Sequence, residues 1–191
     1  IGPSAELIRN MGNKSQAKET MRRAGIPVIE GSKDPLFDGE EALEQARKIG
    51  FPVMIKAAFG GGGKGMRISY SEEEFSALFA LAQQEAVRSF GDSTMYLEKY
   101  IQDPRHVEVQ IVGDSFHNVI CLGERDCSVQ RRHQKMIEES PCTALTEEVR
   151  TQLLQTAIQA AKAVGYESVG TIEFLYDKSG QFYFMEMNTR I

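Results

Sequence analysis

Five glycines in six positions, with one lysine among them, stand between two strand-like runs. Gly60-Gly61-Gly62-Gly63-Lys64-Gly65 follows residues 51–57 (FPVMIKA) and precedes residues 66–70 (MRISY). Glycine has no Cβ and reaches positive φ freely, so successive N–H groups can converge on phosphate oxygens. The segment does not fit GxxxxGK[ST], because Gly65 stands where Ser or Thr is required. Nor does it fit the dinucleotide fingerprint, because it leads into a strand and not a helix. A glycine loop joining two strands is the flap of a nucleotide lid. The alternative is a plain flexible hairpin, but ordering so many glycines to make one is entropically costly.

Lys56 interrupts the apolar run Val53-Met54-Ile55 three residues before Phe59 opens the loop. A lysine there needs an anionic partner or an escape to solvent. It is either an edge-strand lysine or, with the loop beside it, a phosphate ligand.

Glu173, Glu186 and Asn188 form another constellation. Residues 169–176 and 181–190 read as a hairpin around Asp177-Lys178-Ser179-Gly180, and alternation puts Phe182, Phe184, Glu186, Asn188 and Arg190 on one face. A four-residue loop sets Glu173 directly opposite Glu186; an odd loop without a bulge breaks the pairing. Two facing carboxylates repel unless a cation sits between them, and oxygen ligands beside a triphosphate suit Mg²⁺ or Mn²⁺. The bland alternative is two solvated strand glutamates. Arg131, Arg132, His133 and Lys135 make a basic block that is either an anion site or a solvated stretch. His106 shares the polar face of an alternating strand with Glu108 and Gln110, opposite Val107, Val109 and Ile111, where a lone histidine is more often structural.

The 191 residues carry 22 Lys+Arg against 27 Asp+Glu, a formal charge of −5. That argues against a dedicated nucleic-acid binder. No apolar run is long enough to span a bilayer, and the start, IGPS, has neither the basic flank nor the apolar core of a secretory signal. Cys121, Cys127 and Cys142 form no CxxC pair, which disfavours a disulfide framework or zinc site and makes a reducing cytoplasm the expected setting. The chain begins without Met and closes on MEMNTRI, which reads as a strand cut in mid-course and predicts a piece of a longer polypeptide.

Ser4, Asn13, Asp38, Ser71 and Thr146 are predicted to cap helices running to about residues 11, 23, 49, 89 and 164. Residues 30–38 read as a loop, and strands are expected near 94–99, 105–112, 117–125 and 129–138. Helices and strands mix without the regular alternation of a doubly wound sheet. That predicts an α+β fold with antiparallel strands prominent in the second half.

At this point the chain resembles a known family, the biotin carboxylase component of biotin-dependent carboxylases, within the ATP-grasp superfamily. The resemblance covers all 191 residues. It is carried by GGGGKGM (60–66), EKY (98–100), PRHVEVQ (104–110), ERDCSVQRRHQK (124–135), GTIEFLY (170–176) and FMEMNTRI (184–191). The basic block with EMNTR is the discriminating part, since other ATP-grasp ligases share the carboxylates without that block. The resemblance implies a small mobile lid at 28–100 and a larger antiparallel-sheet subdomain from 101, incomplete at 191. Residues 1–27 would be the end of an N-terminal domain and a helical linker.

Matching position by position, the resemblance implies that Lys14 and Lys56 contact ATP phosphates and that Gly62, Gly63 and Met66 close over the nucleotide. Glu98, Lys99 and Ile101 would line the adenine pocket, with Leu175 and Met185 flanking the purine. His106, Gln130 and His133 would reach the ribose and phosphates. Glu173 and Glu186, assisted by Asn188, would hold two Mg²⁺ or Mn²⁺ ions, and Lys135 and Arg190 would bind bicarbonate. The implied partners are bicarbonate, a biotin carboxyl carrier protein or domain, a carboxyltransferase and a second copy in a homodimer. Acetyl-CoA carboxylase is the expected system; propionyl-CoA, methylcrotonyl-CoA and pyruvate carboxylases are alternatives. Another ATP-grasp ligase, of carbamoyl-phosphate or purine-pathway type, and a silent nucleotide-binding module are further alternatives. The family continues past Ile191 with a Gln-Val-Glu-His segment, whose glutamate is the proposed base, and later an arginine that steadies the biotin enolate. Neither is in these residues, so the resemblance implies that they alone bind nucleotide weakly and without turnover.

Overall fold

Local capping sets the helix starts. Ser4 Oγ accepts from Leu7 N at 3.2 Å and opens α1 (Ala5–Gly12). Asn13 Oδ1 accepts from Gln16 N at 3.1 Å at the head of α2 (Lys14–Arg23). Asp38 Oδ1 accepts from Glu40 N and Glu41 N at 2.9 and 3.0 Å and opens α3 (Gly39–Ile49), which Gly50 ends at φ +81°. β1 (Val53–Ala57) and β2 (Met66–Ser69) follow, then α4 (Glu72–Phe90) and β3 (Met95–Lys99). Ser71 occupies the cap position of α4 but makes no side-chain cap bond there. The remaining elements are β4 (Arg105–Gly113), β5 (Val119–Arg131), β6 (Gln134–Glu139), α5 (Glu147–Ala163), β7 (Ser168–Tyr176) and β8 (Phe182–Thr189). Thr146 Oγ1 caps α5 by accepting from Val149 N at 3.3 Å. This computed structural model describes residues 2–58, 65–131 and 134–189, the side chains of Lys14 and Ser15 excepted.

Residues 29–101 form one packed unit and residues 1–28 with 102–191 another. In the first, an antiparallel sheet of order β2-β1-β3 buries Val53, Ile55, Met95 and Leu97 with Phe75, Phe79, Ala82 and Ala86 of α4 and Ala42 and Ala46 of α3. Residues 30–38 form a loop, as expected, and two isolated bridges tie it to β3. Ser32 N donates to Leu97 O and Leu36 N to Met95 O, both at 2.9 Å. Gly31 makes that approach possible, since a Cβ there would lie 2.5 Å from Leu97 O.

The second unit is built on an antiparallel sheet of order β6-β5-β4-β7-β8. One face is apolar: Val107, Val109, Ile111, Ile172, Phe174, Phe184 and Met187 pack with Leu153, Ala157, Ala160 and Ala161 of α5 and with Met11 and Met21. The opposite face carries His106, Glu108 and Gln110 of β4 and Thr171 and Glu173 of β7, as alternation requires.

Two expectations are corrected here. The break expected near residues 126–128 does not occur: β5 runs unbroken to Arg131 and β6 starts only at Gln134, so a strand spanning 129–138 is not formed. Register shifts between Asp126 and Val129 and between Val129 and Gln130 disturb the alternation there, and a bulge blurs the period from which a strand end is read. The β7–β8 loop is odd, Asp177 to Gln181, because Tyr176 pairs with Phe182. A bulge at Met185 then restores the pairing of Glu173 with Glu186. Phe182 and Phe184 consequently belong to the apolar core, while Glu186 and Asn188 take the other face, so these four do not share one face; Arg190 lies outside the described residues.

Candidate active site

Four residues lie in register across β5, β4, β7 and β8: Arg125 opposite Glu108, Glu108 opposite Glu173, and Glu173 opposite Glu186. Glu108 and Glu173 are 5% and 6% exposed. Burying acids this deeply requires compensating charge, and the face supplies it. Arg125 donates to Glu108 through Nη2 and, at 3.1 Å, through Nε. Lys135 Nζ donates to Glu108 Oε2 and, at 2.7 Å, to Glu173 Oε1. Asn188 Nδ2 donates to the same Glu173 oxygen at 2.8 Å, and His106 Nδ1 lies 3.7 Å from Glu173 Oε2.

Burial alone would push the Glu108 carboxyl up, but the hydrogen bonds from Lys135 and Arg125 outweigh it and hold it below the usual carboxylate range. Burial would push the Lys135 ammonium down, but its bonds to Glu108 and Glu173 outweigh that and raise it to about 12. Lys135 is therefore a fixed cation at neutral pH. Burial also pushes the neighbouring Cys127 thiol up to about 11, which keeps it protonated and unreactive. Glu108, Cys127 and Glu138 bring ligand atoms within 4.8 Å of one another. With Glu108 already neutralised and the thiol protonated, that trio has little charge to offer a metal.

The structure thus brings Lys135, Glu173, Glu186, Asn188 and His106 onto one face. Leu175 is there too, opposite His106 on one side and Tyr183 on the other. Met185 is the bulged residue of β8. Gln130 pairs with Lys135 across β5 and β6, and its Nε2 donates to Cys127 O at 2.9 Å. A cavity of about 230 Å³ opens beside these residues, lined by Met11, Ala17 and residues 185–189. The basic block is not one continuous patch among the described residues. Arg131 is exposed at the end of β5, whereas Lys135 is folded onto two buried acids.

In the unit of residues 29–101, Lys56 and Glu98 form an ion pair between β1 and β3. Met66 pairs with Lys56 across β1 and β2. Lys99 Nζ donates to Gly50 O and Phe51 O at 2.8 and 2.9 Å, where a cation suits the C-terminal end of α3. Its side chain is therefore held structurally, and its backbone N–H donates to Glu30 O at 2.8 Å. Ile101 follows β3 and is half-buried. Gly62, Gly63, His133, Arg190 and the side chain of Lys14 lie outside the described residues.

Arg125 and Glu108 are the site-face residues that the motif reading passed over. The signal was present: Glu108 sits between His106 and Gln110 on the alternating polar face, and a buried acid there demands a cation.

Residues 13–191 match the family model described as carbamoyl-phosphate synthase L chain, ATP binding domain. The chain belongs to this ATP-binding domain family. Among the family's members its likeness is to biotin carboxylases. That of Nostoc sp. is 56% identical over 191 residues, which is 100% of this chain and 43% of the relative. A biotin carboxylase β-γ-ATP complex from Campylobacter jejuni is 58% identical with a TM-score of 0.84, over 100% of this chain and 43% of that one. The biotin carboxylase domain dimer of Hydrogenobacter thermophilus 2-oxoglutarate carboxylase was solved with MgADP, ADP and bicarbonate. It is 50% identical with a TM-score of 0.82, over 100% of this chain and 42% of that one. The ATP-binding domain described here has the α+β, ATP-grasp architecture of these relatives and spans less than half their length. No described helix is long and apolar enough to cross a membrane.

Proposed function

We propose that this ATP-binding domain serves the ATP- and bicarbonate-dependent carboxylation of biotin. The observation that carries the reading is the fixed Lys135 cation, held at 2.7 Å by the buried Glu173 that faces Glu186 across the sheet. Bicarbonate attacks the γ-phosphorus of ATP, ADP leaves, and carboxyphosphate forms. Carboxyphosphate then breaks down to CO₂ and phosphate, the phosphate takes the N1′ proton of biotin, and the N1′ so freed attacks the CO₂ to form carboxybiotin. The residues suit these steps. Lys135 offers a cation to an oxyanion, as phosphoryl transfer requires, and Arg190 would share that work. Lys56, Lys14, His106, Gln130 and His133 would hold the phosphates and ribose, Gly62, Gly63 and Met66 would cover them, and Glu98, Lys99, Ile101, Leu175 and Met185 would surround the base.

Glu173, Glu186 and Asn188 would hold Mg²⁺ or Mn²⁺. The donor set fits: it consists of oxygen ligands, and the ammonium already seated on Glu173 shows that this corner draws positive charge. A bound cation would neutralise charge on the phosphates. The carboxyl carrier would be a biotinylated protein or domain, and a separate carboxyltransferase would choose the final acceptor. Acetyl-CoA in cytoplasmic fatty acid synthesis is the acceptor this reading favours, with a homodimer as the assembly.

The test is phosphate release from Mg·ATP by the intact protein, with and without bicarbonate and free biotin. Release that requires bicarbonate and rises with biotin is expected. Release indifferent to both would transfer the chain to another ATP-grasp ligase, and no release would favour a silent nucleotide-binding module.

A further inference from the structure

Thr171 is 5% exposed, and its Oγ1 is one of the two buried side-chain polar atoms with no hydrogen-bond partner among the described residues. A buried hydroxyl left so needs a reason. Its position supplies one. Thr171 lies two residues before Glu173 on the same face of β7 and directly opposite Asn188 of β8. Side chains directly opposite in an antiparallel pair have Cβ atoms about 5 Å apart, within reach of a hydrogen bond between an amide and a hydroxyl.

Asn188 now spends its amide nitrogen on Glu173 Oε1, the oxygen that Lys135 also holds. A divalent cation at Glu173 and Glu186 takes oxygen ligands, and amide N–H groups aimed at the same carboxylate oxygen would point their positive ends at it. The amide must then turn, bringing Oδ1 toward the cation and Nδ2 away. The displaced N–H groups need an acceptor, and the orphaned hydroxyl stands opposite.

We propose that Thr171 is a positioning residue whose hydroxyl accepts the Asn188 amide when a divalent cation is bound, fixing the side chain with its oxygen toward the ion. The proposal rests on reading Glu173, Glu186 and Asn188 as cation ligands. In the cation-free protein the hydroxyl stabilises nothing; its contribution arises on loading.

The experiment compares Thr171→Val, which keeps the shape and removes the hydroxyl, with Thr171→Ser, which keeps the hydroxyl. Mn²⁺ binding to the intact protein with ATP present is followed by the electron paramagnetic resonance of the free ion, and thermal midpoints are taken without divalent ions. Thr171→Val is expected to leave the cation-free midpoint unchanged or higher and to weaken Mn²⁺ on the order of tenfold, the usual scale for a residue that orients a ligand. Thr171→Ser should bind Mn²⁺ within about twofold of the unaltered protein, and in an Asn188→Ala background Thr171→Val should cause no further loss, as coupling through Asn188 demands. The proposal is overturned if Thr171→Val binds Mn²⁺ normally, if Thr171→Ser loses as much as Thr171→Val, or if Thr171→Val loses its cooperative transition without cation. The underlying cation reading fails separately, if Mn²⁺ affinity is unmoved by Glu173→Gln.

Discussion

Lys135 Nζ and Glu173 Oε1 meet at 2.7 Å although β5 and β4 lie between their strands in the sheet order. Three strand spacings in a flat sheet would put the two backbones about 14 Å apart, a gap that the long lysine and glutamate side chains only partly span. Register shifts interrupt the β5–β6 pairing between Asp126 and Gln130, and irregularities of this kind bend a strand and raise its local twist, which favours so close an approach. Replacing Lys135 by Met keeps the bulk and removes the charge. ATP binding, followed by calorimetry, should stay within a fewfold, while bicarbonate-dependent phosphate release is abolished. Equal loss of both would remove Lys135 from its assigned role.

The same pair predicts how stability depends on pH. The Lys135 ammonium titrates at about 12 when folded, above its ordinary 10.5. Its contribution is therefore complete below about pH 10.4 and fades as pH rises through 12, a loss of about 2 kcal/mol by linkage. Glu108 is displaced the other way, so its contribution is complete above its ordinary range and is lost as pH falls through the lowered value. Urea unfolding of the protein and of Lys135→Met between pH 8 and 11.5 isolates the first effect. The unaltered protein should lose more stability over that span, and parallel curves would show that the pair does not stabilise the fold.

Most helices and the β-faces were legible in the chain because caps and period-two alternation are local. Ser4, Asp38 and Thr146 cap helices as their positions predict. The polar face of His106, Glu108 and Gln110 follows from alternation alone. What escaped depends on bulges, which single-residue periodicity hides. The odd Asp177–Gln181 loop and the Met185 bulge cancel, so Glu173 still meets Glu186, but Phe182 and Phe184 change sides. The contact of Lys135 with Glu173 joins strands three places apart in the sheet order, which no local pattern encodes.

The ERD stretch divides by alternation into two jobs. Arg125 serves the site face, while Glu124 turns the other way. Glu124, 3% exposed, accepts from Arg150 Nε at 2.8 Å and from Cys142 N at 3.2 Å, tying α5 and the Cys142 segment to β5. Removing the guanidinium leaves the buried Glu124 carboxylate without its cation. Arg150→Met should therefore lower the thermal midpoint, read by calorimetry, and leave nucleotide affinity unchanged. A drop of under about 2 °C would mean that water solvates Glu124 in the variant.

Gly170 opens the GTIEFLY stretch, yet its structural demand is steric. Tyr166, 1% exposed, donates its hydroxyl to Val169 O at 2.8 Å, which lays the ring against the start of β7. A Cβ on Gly170 would lie 2.1 Å from the Tyr166 Oη and 2.5 Å from its Cζ. The ring is wedged in the core and cannot swing aside as an exposed side chain would. Gly170→Ala must displace either the ring or β7, at a cost of about 3 kcal/mol, the upper range for overpacking. Tyr166→Phe removes the hydroxyl and part of the clash, so the double variant should recover part of the loss. Chemical denaturation of the two single variants and the double one checks this. Additive losses would show that Gly170 is required for something other than the Tyr166 contact.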